Sequence, residues 1–254
     1  MSIIQLINMD SKKIKPQFIK KNNPRVGLIV LATDVMIEKD FLKVFNEVPA
    51  DIFVNRITNY NPVTADNLKK MTENITSVTE NILPGEEVDC VVYGCTSGTI
   101  VSGYDNIKKK INIAKPNALV TAPSTAALNA LKKKNISKIS IVTPYTKSVN
   151  DDVVNFFKNN NFEVTSNTYF DIQSDVDIGR VDQDQLFKIL SNIDHKDAEA
   201  LFVSCTSLPV LNIIERLEKK LNMTVLSSNQ ALIWETLENI NRNNSIKGYG
   251  SLFS

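Results

Sequence analysis

Two cysteines stand in matching settings, one in each half of this 254-residue chain. Cys95 and Cys205 each follow a run of apolar residues and precede a Thr-Ser pair and then a helical pattern. An apolar run that ends at a turn into a helix is typical of a buried strand in an α/β sheet. Two such turns that face each other would place thiols on both sides of a cleft. One thiol could then take a proton from a carbon while the other returns one to its opposite face.

The groups beside the cysteines suit an acidic ligand. Backbone N–H groups and hydroxyls at a helix N-terminus bind carboxylates, and the same donors stabilise the negative charge of an enolate-like intermediate. The positive end of a helix dipole also favours the thiolate, so we expect both thiols to be activated in this way. The predicted carboxylate-binding residues are Thr96, Ser97, Thr206 and Ser207.

Few other side chains offer chemistry. Cys90 lies inside an apolar run and is predicted to be a core residue, and His195, the single histidine, lies in a polar link where we expect it to be exposed. A Cys-His or Ser-His-Asp arrangement is therefore not predicted. No spacing of ligand residues indicates a metal site, and no glycine-rich loop indicates a phosphate site. The thiols themselves must act as acid, base or nucleophile.

Composition limits the partners. The formal net charge is +1 and 43% of the residues are apolar, so neither nucleic acid nor a membrane is an expected partner. Three cysteines do not make a disulfide framework, so we expect a cytoplasmic protein with reduced thiols. The expected partners are a small carboxylate substrate and, in a homo-oligomer, further copies of the chain. The one local charge imbalance is a basic N-terminal arm, with Lys12, Lys13, Lys15, Lys20, Lys21 and Arg25 against Asp10.

Apolar strand-like runs alternate with amphipathic helical patterns along the chain, which indicates parallel sheets covered by helices. Two long helices are predicted over residues 65–82 and 208–221. The predicted strands cover residues 26–32, 51–57, 89–93, 118–121, 139–142, 163–170, 200–203 and 223–226.

The two halves repeat one another. Cys95 and Cys205 are 110 positions apart, and the second predicted strands of the halves, near Asp51 and Glu163, are 112 apart. The spacing predicts an α/β fold of two pseudo-symmetric, duplicated lobes, each a parallel sheet flanked by helices, with the active site in the cleft between them. The first lobe is predicted over residues 1–117, with 228–254 packing back on it, and the second over 118–227. Ligands bind beyond the carboxyl ends of parallel strands, where Asp34 and Tyr145 also lie.

Six longer motifs span nearly the whole chain. They are Gly27-Leu28-Ile29-Val30-Leu31-Ala32-Thr33-Asp34, Gly94-Cys95-Thr96-Ser97-Gly98-Thr99, Val142-Thr143-Pro144-Tyr145, Asp177-Ile178-Gly179-Arg180, Cys205-Thr206 and Leu226-Ser227-Ser228-Asn229-Gln230-Ala231-Leu232-Ile233-Trp234. In type and order these motifs resemble the aspartate/glutamate racemase superfamily, and within it the branch of maleate cis-trans isomerases, arylmalonate decarboxylases and ectoine-utilisation proteins.

The resemblance implies two lobes, a cleft and no cofactor. In the racemases two cysteines exchange the α-proton from opposite faces. In maleate isomerases the residue matching Cys95 adds to the double bond, and the one matching Cys205 assists. Arylmalonate decarboxylases keep only the second cysteine, so the presence of both disfavours that activity. The tyrosine matching Tyr145 contacts a substrate carboxylate in the isomerases.

Two positions depart from the isomerase pattern. The resemblance implies asparagine where this chain has Asp34, and a second substrate-binding asparagine where it has Asp175. Asp34 has two interpretations: it can pair with a substrate ammonium, as an aspartate near this place does in the amino-acid racemases, or it can cap the following helix. Two carboxylates would also repel a dicarboxylate substrate.

The sequence therefore favours a cofactor-independent racemase or isomerase that moves the α-proton of a small amino acid or N-substituted amino acid, with Cys95 and Cys205 as the two bases. The alternative is a maleate-type cis-trans isomerase in which Cys95 adds covalently. An arylmalonate-type decarboxylase and a non-catalytic metabolite-binding protein are lesser alternatives. We expect the substrate-binding set Asp34, Thr96, Ser97, Tyr145, Asp175, Thr206 and Ser207.

Overall fold

The computed structural model describes residues 13–18, 23–242 and 246–254, and in these residues eight strands form two parallel sheets. The strands are β1 (Arg25–Leu31), β2 (Asp51–Ile57), β3 (Cys90–Gly94), β4 (Leu119–Thr121), β5 (Lys138–Thr143), β6 (Glu163–Tyr169), β7 (Ala200–Val203) and β8 (Thr224–Ser227). The first sheet has the strand order β2-β1-β3-β4 and the second the order β6-β5-β7-β8.

Helices connect the strands and cover the sheets. They are α1 (Ile37–Phe45), α2 (Ala65–Thr72), α3 (Ile75–Glu80), α4 (Thr96–Ser102), α5 (Tyr104–Ala114), α6 (Pro123–Lys133), α7 (Lys147–Asn159), α8 (Asp175–Ile178), α9 (Gln183–Asn192), α10 (Ile214–Leu221) and α11 (Ser228–Asn239). Short 3-10 helices span Leu211–Ile213 and Ser251–Phe253. None of the helices in the described residues is long and apolar enough to cross a bilayer.

The central strands are apolar on both faces, as parallel strands between two helical layers must be. In β1, residues 26–31 are all buried, and every residue of β3 and β7 is buried. The strand order of the second sheet repeats that of the first, with β6 beginning 112 positions after β2. The predicted α/β fold of two duplicated, parallel-sheet lobes is confirmed.

The boundary between the sheets lies later than predicted. Residues 118–227 were expected to form the second lobe, but β4 pairs with β3 in the first sheet. The change of sheet therefore falls between Thr121 and Lys138, across α6. The final helix, α11, contacts α1, β3 and β4 of the first lobe and also α6 and β8. It therefore touches both sheets.

Two predicted helices are shorter than expected. The helix expected over residues 65–82 is interrupted at Asn74, whose backbone angles (φ −90°, ψ 0°) are not helical, and the break lets both Met71 and Ile75 reach the core. The helix expected over 208–221 begins only at Ile214 after one 3-10 turn. Pro209 disfavours helical geometry in Leu208, the first residue of the predicted helix.

Two single-residue predictions have opposite outcomes. Cys90 is fully buried in β3, which confirms it as a core residue. His195 is buried rather than exposed, because its ring nitrogens lie 2.9 Å from Ser140 Oγ and 2.8 Å from the carbonyl oxygen of Leu190. In the basic arm, Lys12, Lys20, Lys21 and Asp10 lie outside the described residues.

Candidate active site

A closed cavity lies beyond the carboxyl ends of the strands, and it contains both predicted catalytic cysteines. The open space in it is about 20 Å³, which is room for about one water molecule. Its wall comes from both lobes and consists of Leu31, Asn59, Tyr60, Val63, Asn67, Leu68, Met71, Cys95, Thr96, Ser97, Tyr145, Asp175, Cys205 and Thr206.

Cys95 is the N-cap of α4. Its Sγ accepts the backbone N–H of Gly98 at 3.2 Å and lies 3.8 Å from Ser97 Oγ. A Cβ at Gly98 would come within 2.8 Å of this sulfur, so the close approach requires glycine. Burial raises the pKa of Cys95 to about 12, although the Gly98 N–H and the Ser97 hydroxyl lower it. The expected stabilisation by a helix N-terminus is present, but burial outweighs it in the closed cavity.

Cys205 has a different local structure. It follows β7 and has a positive φ of 103°. A positive φ strains the backbone of a residue that has a side chain, and residues with such strain cluster at functional sites. No α-helix begins beside it, so the predicted helix N-terminus is wrong for this thiol. Burial raises its pKa well above the ordinary value, and a hydrogen bond with the Tyr145 hydroxyl lowers it again in part.

Ser228 connects the two cysteine turns. Its Oγ accepts a hydrogen bond from Thr96 Oγ1 at 2.9 Å and another from the backbone N–H of Cys205 at 3.0 Å. A second link runs from Thr206 Oγ1 to the carbonyl oxygen of Gly94, at 3.3 Å. Direct hydrogen bonds thus hold the turns of the two sheets together, and they fix the position of one thiol relative to the other.

Asp175 reaches the cavity from the second lobe, at the start of α8. Its Oδ1 accepts from Ser207 Oγ at 2.8 Å, and its Oδ2 accepts from Thr33 Oγ1 at 2.7 Å. Burial and the nearby Asp34 carboxyl raise the pKa of Asp175, while the two hydroxyls lower it. It supplies the single carboxyl of the cavity wall.

Asp34 is placed differently from the predicted substrate-binding role. It does not line the cavity, and its Oδ1 accepts the backbone N–H groups of Met36 and Ile37, at 2.8 and 3.0 Å, where α1 begins. The structure therefore places this carboxylate at the start of a helix, the second of its two interpretations. Burial is also the main cause of its raised pKa.

The remaining predicted residues divide in the same way. Thr96, Ser97, Tyr145 and Thr206 line the cavity, whereas Ser207 lies behind Asp175 and donates its hydroxyl to it. The hydroxyl protons of Thr96 and Thr206 already point to partners within the protein. Their side chains therefore organise the turns as well as forming the wall.

Several wall residues come from a part of the first lobe that the sequence motifs did not single out. Asn59, Tyr60 and Val63 follow the carboxyl end of β2, and the rule that ligands bind at such ends could have indicated them. Leu68 and Met71 belong to α2, where their apolar side chains gave no functional signal. Among the described residues no group of three His, Cys, Asp or Glu side chains is arranged to hold a metal ion.

Residues 27–253 match the model of a protein family described as arylmalonate decarboxylase. The chain belongs to this family. A maleate isomerase of Geobacillus stearothermophilus is 24% identical over 244 residues, which cover 91% of this chain and 97% of that protein.

Solved structures extend the family comparison. The maleate isomerase of Pseudomonas putida S16 crystallised with maleate has a TM-score of 0.83 at 19% identity, covering 91% of this chain and 97% of that one. A mutant maleate cis-trans isomerase of Nocardia farcinica with a covalently bound succinylcysteine intermediate has a TM-score of 0.82 at 18% identity, covering 91% and 98%. The fold and the branch of the superfamily indicated by the motifs are both confirmed.

Proposed function

We propose that this protein is a cis-trans isomerase of a small cis-unsaturated acid of the maleate class, and that Cys95 forms the covalent bond to the substrate. The observation that carries the proposal is that two thiols from matching strands of the two sheets line one closed cavity. The relatives named as maleate isomerases, one of them with a covalent succinylcysteine, support this chemistry.

In the proposed reaction the sulfur of Cys95 bonds to one carbon of the double bond. The π electrons form a C–H bond at the neighbouring carbon with a proton from Cys205, and the proton that leaves Cys95 replaces the one that Cys205 has given. The carbon–carbon bond is then single and can rotate. The reverse steps break the C–S bond, return each proton and release the trans acid.

The protein's contribution is to position the thiols and stabilise charge. Backbone N–H groups of the two cysteine turns and the hydroxyls of Ser97 and Tyr145 hold the carboxylate, because the hydroxyls of Thr96, Thr206 and Ser207 already donate within the protein. As charge develops on the substrate carboxyl during addition, fixed donors in a cavity without bulk water stabilise it more effectively than water would. The pKa of Cys95, raised to about 12 by burial, means that the thiol is the resting form and that addition must be coupled to proton movement.

The comparisons favour this reaction over racemisation of an amino acid. The relatives described above are maleate isomerases. The residue expected to bind a substrate ammonium, Asp34, does not line the cavity, and its Oδ1 accepts N–H groups at the start of α1.

The test is to incubate the purified protein with a panel of cis-unsaturated four-carbon acids, with maleate first, and to follow the trans product by proton NMR. We expect trans product from the wild type and none from Cys95→Ser. Cys205→Ser should slow both addition and elimination, because a serine hydroxyl exchanges protons less readily than a thiol. The adduct that still forms on Cys95 should persist and be seen by intact mass as the addition of one substrate.

Cys90→Ala is the matched control, because this thiol is equally buried but belongs to the core. It should keep the activity of the wild type. Full activity in both single cysteine variants would reject the two-thiol mechanism. Absence of trans product, together with deuterium uptake from solvent at the α-carbon of an amino acid, would restore the racemase interpretation; binding without any turnover would indicate a metabolite-binding protein.

A further inference from the structure

The charge of the cavity wall conflicts with a substrate that carries two carboxylates. The wall described above contains Asp175 but no lysine, arginine or histidine. A doubly ionised substrate would therefore place a negative charge near a buried carboxyl with no cation in the wall to compensate. Neutral donors can hold one carboxylate, but the end of the substrate that meets Asp175 faces an acceptor.

The hydrogen bonds around Asp175 fix its role as an acceptor. Asn59 Nδ2 donates to Thr33 Oγ1 at 2.7 Å, and Thr33 in turn donates to Asp175 Oδ2 at 2.7 Å. The orientation of the Asn59 amide is set by its Oδ1, which accepts the Thr33 backbone N–H at 3.3 Å. Ser207 donates to the other oxygen. Since a carboxylate has about four acceptor positions, two positions remain for a ligand.

The groups that act on Asp175 do not supply a positive charge. The charge of Asp34, at the start of α1, raises the pKa of Asp175. The negative charge of Asp175 in turn raises the pKa of Cys95 and of Cys205, which lie at the ends of β3 and β7. Thr33 and Ser207, on the remaining sides, are neutral. A ligand group that donates hydrogen bonds would satisfy the free acceptor positions of Asp175.

We infer that the substrate is a cis-unsaturated monoamide acid, with a carboxylate at one end and a carboxamide at the end that contacts Asp175. The inference rests on the proposed function and specifies its substrate. A carboxamide offers two N–H donors and carries no charge. An amino group directly on the double bond is a poorer alternative, because such an enamine converts to an imine. Asp175 is thus the residue that selects a carboxamide over a carboxylate at the second end of the substrate.

The experiment compares the monoamide of maleic acid with maleate itself, using the wild type, Asp175→Asn and Asp177→Asn. Asp177 lies on the same helix but is exposed, so its variant is the matched control. We expect the wild type to favour the monoamide by about tenfold or more in kcat/KM, since mismatched buried polar groups are strongly discriminated against. Asp175→Asn can donate to a carboxylate and should shift the ratio toward maleate by about tenfold, while Asp177→Asn should keep the wild-type ratio.

Binding gives a second readout if Asp175→Asn folds poorly. The trans monoamide should raise the melting temperature of the wild type more than fumarate does at equal concentration. Equal or greater kcat/KM for maleate in the wild type would overturn this inference. Trans product from maleate alone overturns only the monoamide; no trans product and no Cys95 adduct from either acid overturns the proposed function and this inference with it.

Discussion

Ser228 lies outside both cysteine turns and hydrogen-bonds to each of them. It is fully buried, and its one hydroxyl oxygen accepts from Thr96, next to Cys95, and from the backbone of Cys205 itself. Both candidate catalytic thiols are therefore placed relative to one atom at the start of α11. Residues that do not react but hold those that do are expected to affect turnover strongly.

Ser228→Ala tests this arrangement. We expect kcat to fall by about tenfold or more and the free energy of unfolding to fall by about 1–3 kcal/mol, since two buried donors lose their acceptor. The measurements are turnover of the acid that the wild type isomerises and unfolding in urea.

The control for Ser228→Ala is Ser227→Ala. Ser227 caps α11 by accepting the N–H of Gln230, and loss of a cap costs about 1 kcal/mol while the bridge between the turns remains. Equal losses of turnover in the two variants would show that the bridge itself has no special role.

The two candidate aspartates show why residue types alone could not define the site. Asp34 and Asp175 were both predicted to bind substrate, and both are buried. Only Asp175 lines the cavity, whereas one oxygen of Asp34 accepts the N–H groups at the start of α1. The sequence allowed both interpretations of Asp34, and the choice depends on the angle at which α1 leaves β1. The packing of α1 against the rest of the protein sets that angle, so the local sequence does not predict it.

Contact between α1 and α11 determines what lies behind Cys205. Asn229 on α11 donates through Nδ2 to Asp40 Oδ2 on α1 and to the carbonyl oxygen of Thr206, both at 2.8 Å. Asp40 is buried, and burial is the main cause that raises its pKa to about 7, with the Asn229 hydrogen bond lowering it and the Asp34 charge raising it. A titratable group is therefore part of the support of the second cysteine turn.

Asp40→Asn should change the pH dependence of stability. The folded-state pKa, about 7, lies above the ordinary 3.8, so the stabilising effect of the protonated form is complete below about pH 4 and is lost as pH rises toward 7. We expect the free energy of unfolding of the wild type to fall across this range and that of Asp40→Asn to fall less, because asparagine keeps an acceptor for Asn229 and cannot ionise.

Urea unfolding at several pH values gives the comparison. Asp66→Asn, which removes an exposed carboxyl, is the control. Parallel pH profiles for the wild type and Asp40→Asn would contradict the assignment to Asp40.

The strands could be predicted because the signal for them is local. A continuous apolar run such as β7 indicates a strand buried on both faces, whatever its neighbours in the sheet are. The segment after Cys205 could not be predicted, since its helical pattern competes with Pro209 and with the hydrogen bonds to Ser228 and Asn229. Partners 23 residues away in the sequence leave no periodic signal. Elements of the fold could thus be read from the chain, while the contacts that complete the site could not.

The whole molecule holds the cavity closed across its two lobes. Residues 59–63, which we call the 59–63 segment, follow β2 and meet the second lobe, where the Val63 N–H donates to the carbonyl oxygen of Gln173 at 3.3 Å and Asn61 Oδ1 accepts the Asp175 N–H at 3.5 Å. The space of about 20 Å³ in the cavity is too small for a four-carbon acid. Substrate entry therefore requires these contacts to separate.

Hydrogen–deuterium exchange can detect this opening. We expect backbone amides of the 59–63 segment and of residues 173–175 to exchange readily without ligand and to become protected when the trans acid product is added, because the ligand stabilises the closed arrangement. Amides of α9, which supplies no residue to the cavity wall, should exchange at the same rate in both samples. Unchanged exchange at the 59–63 segment would place the entrance elsewhere.

The deep burial of the thiols also has a consequence for chemical durability. Oxidants and alkylating agents attack the thiolate, and the pKa of Cys95, which burial raises to about 12, leaves this residue almost entirely in the thiol form at pH 7. Hydrogen peroxide and iodoacetamide therefore react only slowly with these thiols for as long as the two lobes stay together. Inactivation by such reagents should follow the fraction of molecules whose lobes are apart, so a cell under oxidative stress would lose this enzyme mainly while it is open for substrate.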